Sequence, residues 1–491
     1  MPSTLNMRPP VVANAILVID AGTSALRAVS VTSDGRTTTI WREPWRMLVP
    51  EDAAPYGREF DPRDVLNALE CLLGSAERLG EPFAGVAFTG QREGLVFVDE
   101  RGDALIISPN VDARAAAEGI AIDAERGAAV YAATGHLPSL MQAPAKLAWL
   151  QHHRLAVASR VRYALPLADW LASRLTGHIA ASRSLLAENG IVDVRSFAPV
   201  ADDAVAAISP PTLMDGTEAS RVRDGALAGL PVVLCGADTQ CALVGVGAVE
   251  ADDACAVAGW SAPVQLVTPA PRLDERTRTW AGTHVVPQRW VVESNAGETG
   301  RAWQWLLSLL NLAHDQAQAL AEASPAGSRD VMAVLGPSRM DAKAMTASVG
   351  GITVPLPLVM SAPERGDVLR ALLETTAYAV RANLAQAEDV AEARPAQLRL
   401  AGGVAQSTLF TRILTDVVGR PLYVASSPET SALGAAALAA PALGVHATLS
   451  DALAAMVRPS AILDPDQRTA AAYDDYYERW LAMSERFESM S

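Results

Sequence analysis

Asp238 is the side chain whose place in the sequence best suits acid–base chemistry. It follows the apolar run 232–234, which predicts a buried strand that Gly236 ends, and it precedes a small-residue segment that can start a helix. Clefts of α/β proteins form at such strand ends, where a carboxylate can take a proton from a hydroxyl group. Asp is also a common helix N-cap, so this stretch alone leaves a purely structural role open.

A second polar group lies in the turn of an expected hairpin near the start of the chain. Residues 16–20 and 26–31 are apolar runs typical of strands, and residues 21–24 are typical of a tight turn. A glycine followed by two hydroxyl side chains can hold a phosphate through backbone amides, and a carboxylate can hold Mg²⁺ through waters. The candidates are Gly22, Thr23 and Ser24 for the phosphate and Asp20 for Mg²⁺. An ordinary hairpin with a polar turn is the alternative.

A third polar group follows the expected strand 86–88. Gln91, Arg92 and Glu93 offer donors, acceptors and opposite charges, the mixture that an uncharged polyol requires. Asp112 and Arg114 lie nearby in the sequence. A surface turn with an internal ion pair would show the same residues, so the pattern alone does not decide.

The elements that must position these groups fall into two halves. The 491 residues, half hydrophobic and 19% charged, suffice for two ordered domains. Residues 254–261 and 264–267 repeat the strand–turn–strand pattern of the first hairpin, which indicates a duplicated fold with a cleft between two lobes. We expect an N-terminal lobe at 1–250 and a C-terminal lobe at 251–491.

Other features narrow the class of protein. The net charge of −15 without a basic patch argues against nucleic-acid binding, and neither GxxxxGK[ST] nor a GxGxxG after a strand is present. Residues 1–8 lack the apolar core of a signal peptide, and the longest apolar tract, 432–445, is too short to span a bilayer. The spacing of Cys71, Cys235, Cys241 and Cys255 favours buried free thiols. We therefore expect a cytoplasmic protein with no membrane or nucleic-acid partner.

Taken together, the motifs resemble those of the FGGY carbohydrate kinases along nearly the whole chain. The matching segments, in the order of that family, are Asp20-Ala-Gly-Thr-Ser24 with Arg27, Gly90-Gln-Arg-Glu-Gly94, Asn110-Val-Asp-Ala-Arg114, Leu175-Thr-Gly177, Gly236-Ala-Asp-Thr-Gln240, 401–410, 416–421 and 432–436. Within the family the details are most similar to autoinducer-2 kinases, and glycerol and xylulose kinases share part of the pattern.

The resemblance implies an α/β fold of two actin-like, ribonuclease-H-like lobes with an interlobe cleft. It implies ATP-dependent phosphorylation of a hydroxyl on a small sugar or polyol, with Asp238 as the general base and ATP and Mg²⁺ as cofactors. The implied sugar-binding residues are Gln91, Arg92, Glu93, Asp112 and Gln240. The implied nucleotide-binding residues are Gly22, Thr23, Ser24, Arg27, Gly259, Ser261, Gly300, Gly402, Gly403 and Gln406, and Asp20 would hold the metal. A homodimer is an assembly that the resemblance suggests.

Two positions depart from the pattern of the family. Asn110 replaces a tryptophan, and Trp260 stands where a threonine hydroxyl would meet the γ-phosphate. Loss of one such contact costs about a hundredfold in rate. A catalytically weak sugar-sensing protein on the same fold is therefore an alternative, as is a xylulose- or glycerol-type kinase. An actin-like ATPase is a third reading, in which the polar loop 91–93 would have no purpose.

Overall fold

The computed structural model describes residues 14–343, 349–359 and 362–490. The expectation that residues 1–8 form no signal peptide lies outside these ranges. In the described part of the chain, no helix combines the length and the apolar character needed to cross a membrane.

The first half of the chain, described from residue 14 onwards, contains thirteen strands and eight α-helices. The strands are β1 (Ala15–Ala21), β2 (Ala25–Thr32), β3 (Thr37–Pro44), β4 (Met47–Leu48), β5 (Glu59–Phe60), β6 (Phe83–Gly90), β7 (Leu95–Val98), β8 (Ala104–Ser108), β9 (Tyr163–Pro166), β10 (Ala181–Ser182), β11 (Thr212–Leu213), β12 (Thr217–Arg221) and β13 (Pro231–Ala237). The helices are α1 (Pro62–Leu79), α2 (Ala116–Thr134), α3 (Ala143–His153), α4 (Leu155–Ala158), α5 (Leu167–Thr176), α6 (Arg183–Glu188), α7 (Asp203–Ala207) and α8 (Asp238–Gly245).

The described part of the second half contains nine strands and seven α-helices. The strands are β14 (Ala254–Val257), β15 (Pro263–Thr268), β16 (Trp280–Thr283), β17 (Trp290–Asn295), β18 (Met332–Val334), β19 (Gly351–Thr353), β20 (Leu398–Ala401), β21 (Leu422–Ala425) and β22 (Pro459–Leu463). The helices are α9 (Thr299–Leu310), α10 (His314–Ala323), α11 (Arg365–Ala391), α12 (Thr408–Val418), α13 (Thr430–Ala439), α14 (Leu449–Met456) and α15 (Gln467–Glu488).

The two main sheets follow the same plan. The first has the order β12-β13-β6-β1-β2-β3 and the second β16-β17-β15-β14-β20-β21-β22. In each, the opening strand pairs antiparallel with the next strand and parallel with a strand that follows a helix, as β1 does with β2 and β6, and β14 with β15 and β20. The predicted duplication and the predicted α/β class are therefore confirmed.

The first sheet has an apolar layer on each face. Along β1, Leu17 and Ile19 join one core cluster, whereas Ile16 and Val18 join another that includes α13 and α14. Helix α13 also lies against α8 so closely that a Cβ atom at Gly434 would overlap the carbonyl oxygen of Cys241. The small residues of 432–439 thus allow a helix from late in the chain to pack beneath the N-terminal sheet. The boundary at residue 250 stays a prediction.

Some local expectations need correction. Strand β13 continues through Gly236 instead of ending there, because that residue adopts φ +81° at a shift of register between Leu234 and Ala237. All four cysteines are free thiols, and the expectation of burial is wrong only for Cys71, which is exposed.

Candidate active site

Asp238 lies at the carboxyl end of β13, a strand beside the centre of the first sheet. The turn before it is fastened by two hydroxyl groups, since Thr89 Oγ1 donates to the carbonyl of Gly236 (2.8 Å) and Ser184 Oγ accepts from the amide of Ala237 (3.1 Å). Asp238 itself is the first residue of α8, and Ala237 occupies the N-cap position. The alternative that Asp238 is merely the N-cap is therefore wrong.

The environment of Asp238 suits a proton acceptor. Burial is the largest of the causes that raise the pKa of Asp238 to about 7. The negative charge of Asp20 adds to this rise, and the positive charge of Arg92 opposes it. The carboxylate accepts one hydrogen bond from Thr239 Oγ1 (3.1 Å). Its electrostatic interactions with Asp20, Arg27 and Arg92 show that the residues predicted for metal, phosphate and sugar come together around it.

Asp20 is fully buried at the end of β1, directly opposite Arg27 on β2. Arg27 donates to Oδ2 of Asp20, whereas Oδ1 is buried and has no hydrogen-bond partner among the described residues. Burial raises the pKa of Asp20 above its ordinary value, and Arg27 acts in the opposite direction. Arg27 also donates to Glu429 in the second half of the chain (2.8 Å). An unpartnered carboxylate oxygen at this place fits a cation.

The hairpin turn 22–24 is held by three side chains. The carbonyl of Gly22 accepts from Trp45 Nε1 (2.7 Å) and from Gln91 Nε2 (3.3 Å), and Thr23 Oγ1 accepts from Asn110 Nδ2 (2.9 Å). Asn110, one of the two departures from the family pattern, thus connects this turn to the loop after β6. Ser24 is exposed. These three hydrogen bonds hold the turn in place, while Ser24 at its tip remains accessible to solvent.

The loop after β6 makes contacts within the first half of the chain and, through Arg92, across the lobes. Arg92 forms a bidentate ion pair with Glu293 on β17 (2.5 and 3.0 Å), and its Nη1 also approaches Glu188 (3.3 Å). Gln91 is buried, and both polar atoms of its side chain are hydrogen-bonded. Its Nε2 donates to Gly22, as described above, and its Oε1 accepts from the amide of Asn110 (2.9 Å). Two of the predicted sugar-binding side chains therefore also hold the site together.

Glu93 offers a freer carboxylate. It adopts φ +60°, and its carbonyl accepts from the buried Lys146 Nζ (2.7 Å). Its side chain is half-buried, and burial raises its pKa above the ordinary value despite the opposing charge of Arg92. Burial also lowers the pKa of Lys146 to about 8. A backbone held in this strained conformation suits a residue that must present its side chain to a ligand.

Glu188 joins several of these side chains at one point. Its Oε1 accepts from Gln240 Nε2 (2.9 Å), and its Oε2 lies 3.3 Å from both Arg92 Nη1 and His136 Nε2. Burial would raise the pKa of Glu188, but His136 and Arg92 outweigh it and hold the pKa below the ordinary value. His136 Nδ1 faces the carbonyl of Thr134 (2.8 Å). Both ring nitrogens thus face acceptors, which favours the imidazolium form.

An edge strand of the second sheet covers this cluster. Trp280 on β16 lies 5.4 Å from the ring of His136 and 5.9 Å from the guanidinium of Arg92, centre to centre, and its Nε1 donates to the carbonyl of Leu137 (2.6 Å). A Cβ atom at Gly282 would lie 2.6 Å from Glu188 Oε1. The predicted sugar side of the cleft is therefore built from both lobes.

Asp112 differs from the other predicted sugar-binding residues. It is fully buried, and its two oxygens accept from the amides of Arg58 (2.9 Å) and Arg114 (3.3 Å), from Ser108 Oγ (2.5 Å) and from Arg114 Nε (2.7 Å). Four donors saturate the carboxylate. Its contact with a sugar stays a prediction, and in this structure its role is to fix the loop that carries Asn110.

The residues of the second half that were predicted for the nucleotide meet at the loop 258–261. A Cβ atom at Gly300 would overlap the carbonyl of Gly259, and one at Gly402, which has φ +90°, would overlap that of Ala258. Gly403 has open space where a Cβ would lie, and Ser261 and Gln406 stand at the same group of loops, half-buried and exposed respectively. Glycine at 300 and 402 is thus required by the close approach of backbones.

Trp260 in this loop is 47% exposed. Its carbonyl accepts from the amides of Gly300 (3.1 Å) and Arg301 (3.4 Å), so that the loop ties to the first turn of α9. The guanidinium of Arg301 lies 5.4 Å from the indole ring. The aromatic side chain is accommodated by pointing out of the protein core.

Several residues of the site escaped the sequence analysis, namely Glu188, His136, Lys146, Glu293 and Glu429. Each is a charged or polar residue without a motif around it, and its partner is far away in the sequence, as with the 201 residues between Arg92 and Glu293. A charged residue within an otherwise apolar segment was the one available signal, as for Glu293 after 290–292.

The fold and this arrangement of loops are those of two-lobed sugar kinases. The structure is similar to that of a xylulose kinase from Rhodospirillum rubrum, with a TM-score of 0.82, 26% identity and coverage of 97% of this chain and 99% of that one. It also shares its fold with a glycerol kinase from Plasmodium falciparum solved with ADP, with a TM-score of 0.83, 16% identity and coverage of 96% and 98%.

The sequence comparisons agree with the fold. The N-terminal domain of the FGGY family of carbohydrate kinases matches residues 15–245, and its C-terminal domain matches residues 254–443. The chain belongs to this family. It is 29% identical to an autoinducer-2 kinase from Escherichia coli over 95% of this chain and 93% of that protein, and 28% identical to one from Klebsiella pneumoniae over 95% and 92%. Family membership makes this protein a carbohydrate phosphotransferase and implies ATP as the phosphoryl donor.

Proposed function

We propose that this protein transfers the γ-phosphate of ATP to one hydroxyl of a small sugar or polyol, with Asp238 as the general base. The observation that carries the proposal is the position of Asp238, at a strand end between the predicted metal, phosphate and sugar residues, with its pKa raised to about 7. A base is most effective when its pKa lies near the working pH, because it is then both deprotonated and basic enough to accept the proton.

The residues around Asp238 support the remaining parts of the reaction. Gly22, Thr23 and Ser24 would offer backbone and hydroxyl donors to a phosphate at the hairpin turn, and Gly403 leaves open space near the loop 258–261. Phosphoryl transfer depends on such positioning and charge stabilisation more than on covalent help. The same residues would align the attacking hydroxyl with the phosphate.

The acidic residues fit one Mg²⁺ ion. In the described ranges no group of three or more His, Cys, Asp or Glu side chains is arranged as a metal site, but Mg²⁺ often uses only one or two carboxylates, with waters and phosphates completing its shell. Asp20, with its unpartnered Oδ1, would hold the ion, and Asp238 is near enough to Asp20 for their charges to interact. The bound ion would neutralise charge on the transferred phosphate.

For the substrate, we infer the autoinducer-2 precursor first, since proteins named autoinducer-2 kinase match almost the whole chain. A xylulose- or glycerol-type substrate is the alternative, which the likeness to a xylulose kinase supports. A cytoplasmic location and a homodimer remain proposals, to be tested by cell fractionation and by analytical ultracentrifugation.

The test is a coupled assay of ADP release with Mg-ATP and a panel of the autoinducer-2 precursor, D-xylulose, glycerol and gluconate. Asp238→Ala should lower turnover of the accepted substrate by about two to four orders of magnitude, while calorimetry still detects sugar binding. Asp224→Ala, an exposed aspartate of the same lobe, is the matched control and should leave turnover unchanged. Undiminished turnover in Asp238→Ala would refute the assignment.

The exposed Trp260 favours one second candidate, a sugar-sensing protein with little catalysis. In that case the wild-type protein would bind one sugar of the panel by calorimetry, with no ADP released above background. Restoration of ADP release by Trp260→Thr would show that this side chain is the cause.

A further inference from the structure

Helix α6 presents two polar side chains to the turn that carries Asp238. Ser184 and Glu188 are four residues apart, so they project from the same face of the helix, one turn from each other. Both are buried. Neither belongs to a motif of the sequence, and neither was among the predicted site residues.

Ser184 holds the residue before Asp238. Its Oγ accepts from the amide of Ala237 (3.1 Å) and donates to Asp215 Oδ1 (2.8 Å), and the amide of Ser184 donates to the same carboxylate (3.2 Å). The fit leaves no spare room, because a Cβ atom at Gly236 would overlap both Ser184 Oγ and Asp215 Oδ1. Asp215 thus fixes the orientation of the serine hydroxyl, and the hydroxyl in turn holds the backbone of the turn through the amide of Ala237.

Glu188 holds the residue that follows Asp238 by two positions. Its Oε1 accepts from Gln240 Nε2 (2.9 Å), a charge-assisted hydrogen bond within a buried environment. The other groups that face Glu188 are Arg92 from the loop after β6 and His136 from the loop after α2, both at its Oε2. Glu188 therefore connects the turn of the base to the predicted sugar loop.

We propose that α6 positions the general base, with Ser184 fixing the backbone before Asp238 and Glu188 fixing the first turn of α8 after it. The inference rests on the proposed role of Asp238 and goes beyond it. Ser184 and Glu188 are positioning residues, since both act through Asp238 and its neighbours. A base displaced by about 1 Å loses on the order of a hundredfold in rate, so restraint on both sides of Asp238 has a direct catalytic consequence.

The two residues should differ in their effects. Among the described residues, the hydroxyl of Ser184 hydrogen-bonds only with the turn and Asp215, so Ser184→Ala should lower kcat by about tenfold and change the sugar KM by less than about twofold. Glu188 also contacts Arg92, so Glu188→Gln should lower kcat several-fold and raise the sugar KM as well. A purely structural role would not separate kcat from KM in this way.

A double-mutant cycle with Asp238→Asn tests the proposal. Single-turnover experiments at high protein concentration give the residual rate of Asp238→Asn alone and combined with Ser184→Ala. If Ser184 acts through the base, the tenfold effect should disappear in the Asp238→Asn background. An equal loss in both backgrounds would overturn the proposal, as would an unchanged kcat in Ser184→Ala.

The outcomes distinguish this inference from the proposed function. Full activity in Asp238→Asn would refute the general base itself, whereas an inactive Asp238→Asn with an unaffected Ser184→Ala would refute only the role of α6. Thermal unfolding and circular dichroism monitor the fold of each variant. If Ser184→Ala fails to fold, the same cycle is run with Glu188→Gln, whose kcat effect must likewise vanish in the Asp238→Asn background.

Discussion

The pH dependence of the reaction follows from the environment of Asp238. An exposed aspartate with the ordinary pKa of 3.8 would be fully deprotonated from pH 6 upwards, and the rate would not change there. With burial and Asp20 raising the pKa of Asp238 to about 7, the base is about one-half deprotonated at pH 7 and about one-tenth at pH 6. We expect kcat/KM to fall about fivefold from pH 7 to pH 6 and tenfold for each further pH unit.

The assay measures kcat/KM with sugar and Mg-ATP both well below saturation, because this parameter reports the ionisation of the protein before its substrates bind. The residual rate of Asp238→Asn, measured in the same buffers, corrects for the ionisation of ATP. Asp20→Asn removes the neighbouring negative charge and should move the acidic limb to lower pH. The quantity to compare is the pH at which the rate begins to fall, because Asp20→Asn will also lower the rate at every pH.

Two results would refute this reasoning. A rate that stays constant from pH 8 to pH 5 would show that the pKa of Asp238 is not raised in solution. An acidic limb that Asp20→Asn leaves in place would show that Asp20 does not contribute, and that burial alone raises the pKa.

Four further variants test other parts of the structure. Gly403→Ala should leave the melting temperature unchanged and raise the KM for ATP, since open space lies where its Cβ would be, whereas Gly402→Ala should lower the melting temperature because its Cβ would overlap a carbonyl oxygen. Gly434→Ala should lower the free energy of unfolding by about 1–3 kcal/mol through overpacking of α13 against α8, measured by urea denaturation. Asp169 is buried and its pKa is raised to about 7, so the folded protein holds this proton more tightly than the unfolded chain does. The free energy of unfolding should therefore decrease between about pH 4 and pH 7, and Asp169→Asn should flatten that decrease.

The elements that local pattern determines could be predicted from the sequence. The hairpin of β1 and β2, the N-cap of α1 at Asp61 and the αL glycine that ends α5 at Gly177 each depend on a few neighbouring residues. The same holds for Asp238, because an apolar run followed by small residues defines a strand end before a helix. Such local patterns predict at which strand end or turn a candidate catalytic residue lies.

The contacts between these elements could not be predicted in the same way. Glu188 has no local signature and Glu293 has only its place after an apolar run, and the functions of both depend on partners brought near by folding. Asp112 shows the opposite case, since a residue that suited a sugar ligand by motif is saturated by four donors in the folded chain. Sequence patterns name the residue types, and long-range packing decides which polar atoms remain available.

The two predicted ligand-binding arginines show why availability matters. Arg27 is paired with Glu429 and Arg92 with Glu293, each pair joining the two halves of the chain. An uncharged sugar hydroxyl cannot displace a bidentate carboxylate, so we expect Arg92 to keep its partner and to offer the sugar only its two remaining N–H donors. A triphosphate carries enough charge to compete with a single carboxylate, so Arg27 can exchange Glu429 for phosphate. We therefore expect the sugar side of the cleft to be preorganised and the phosphate side to change its ion pairs when ATP binds.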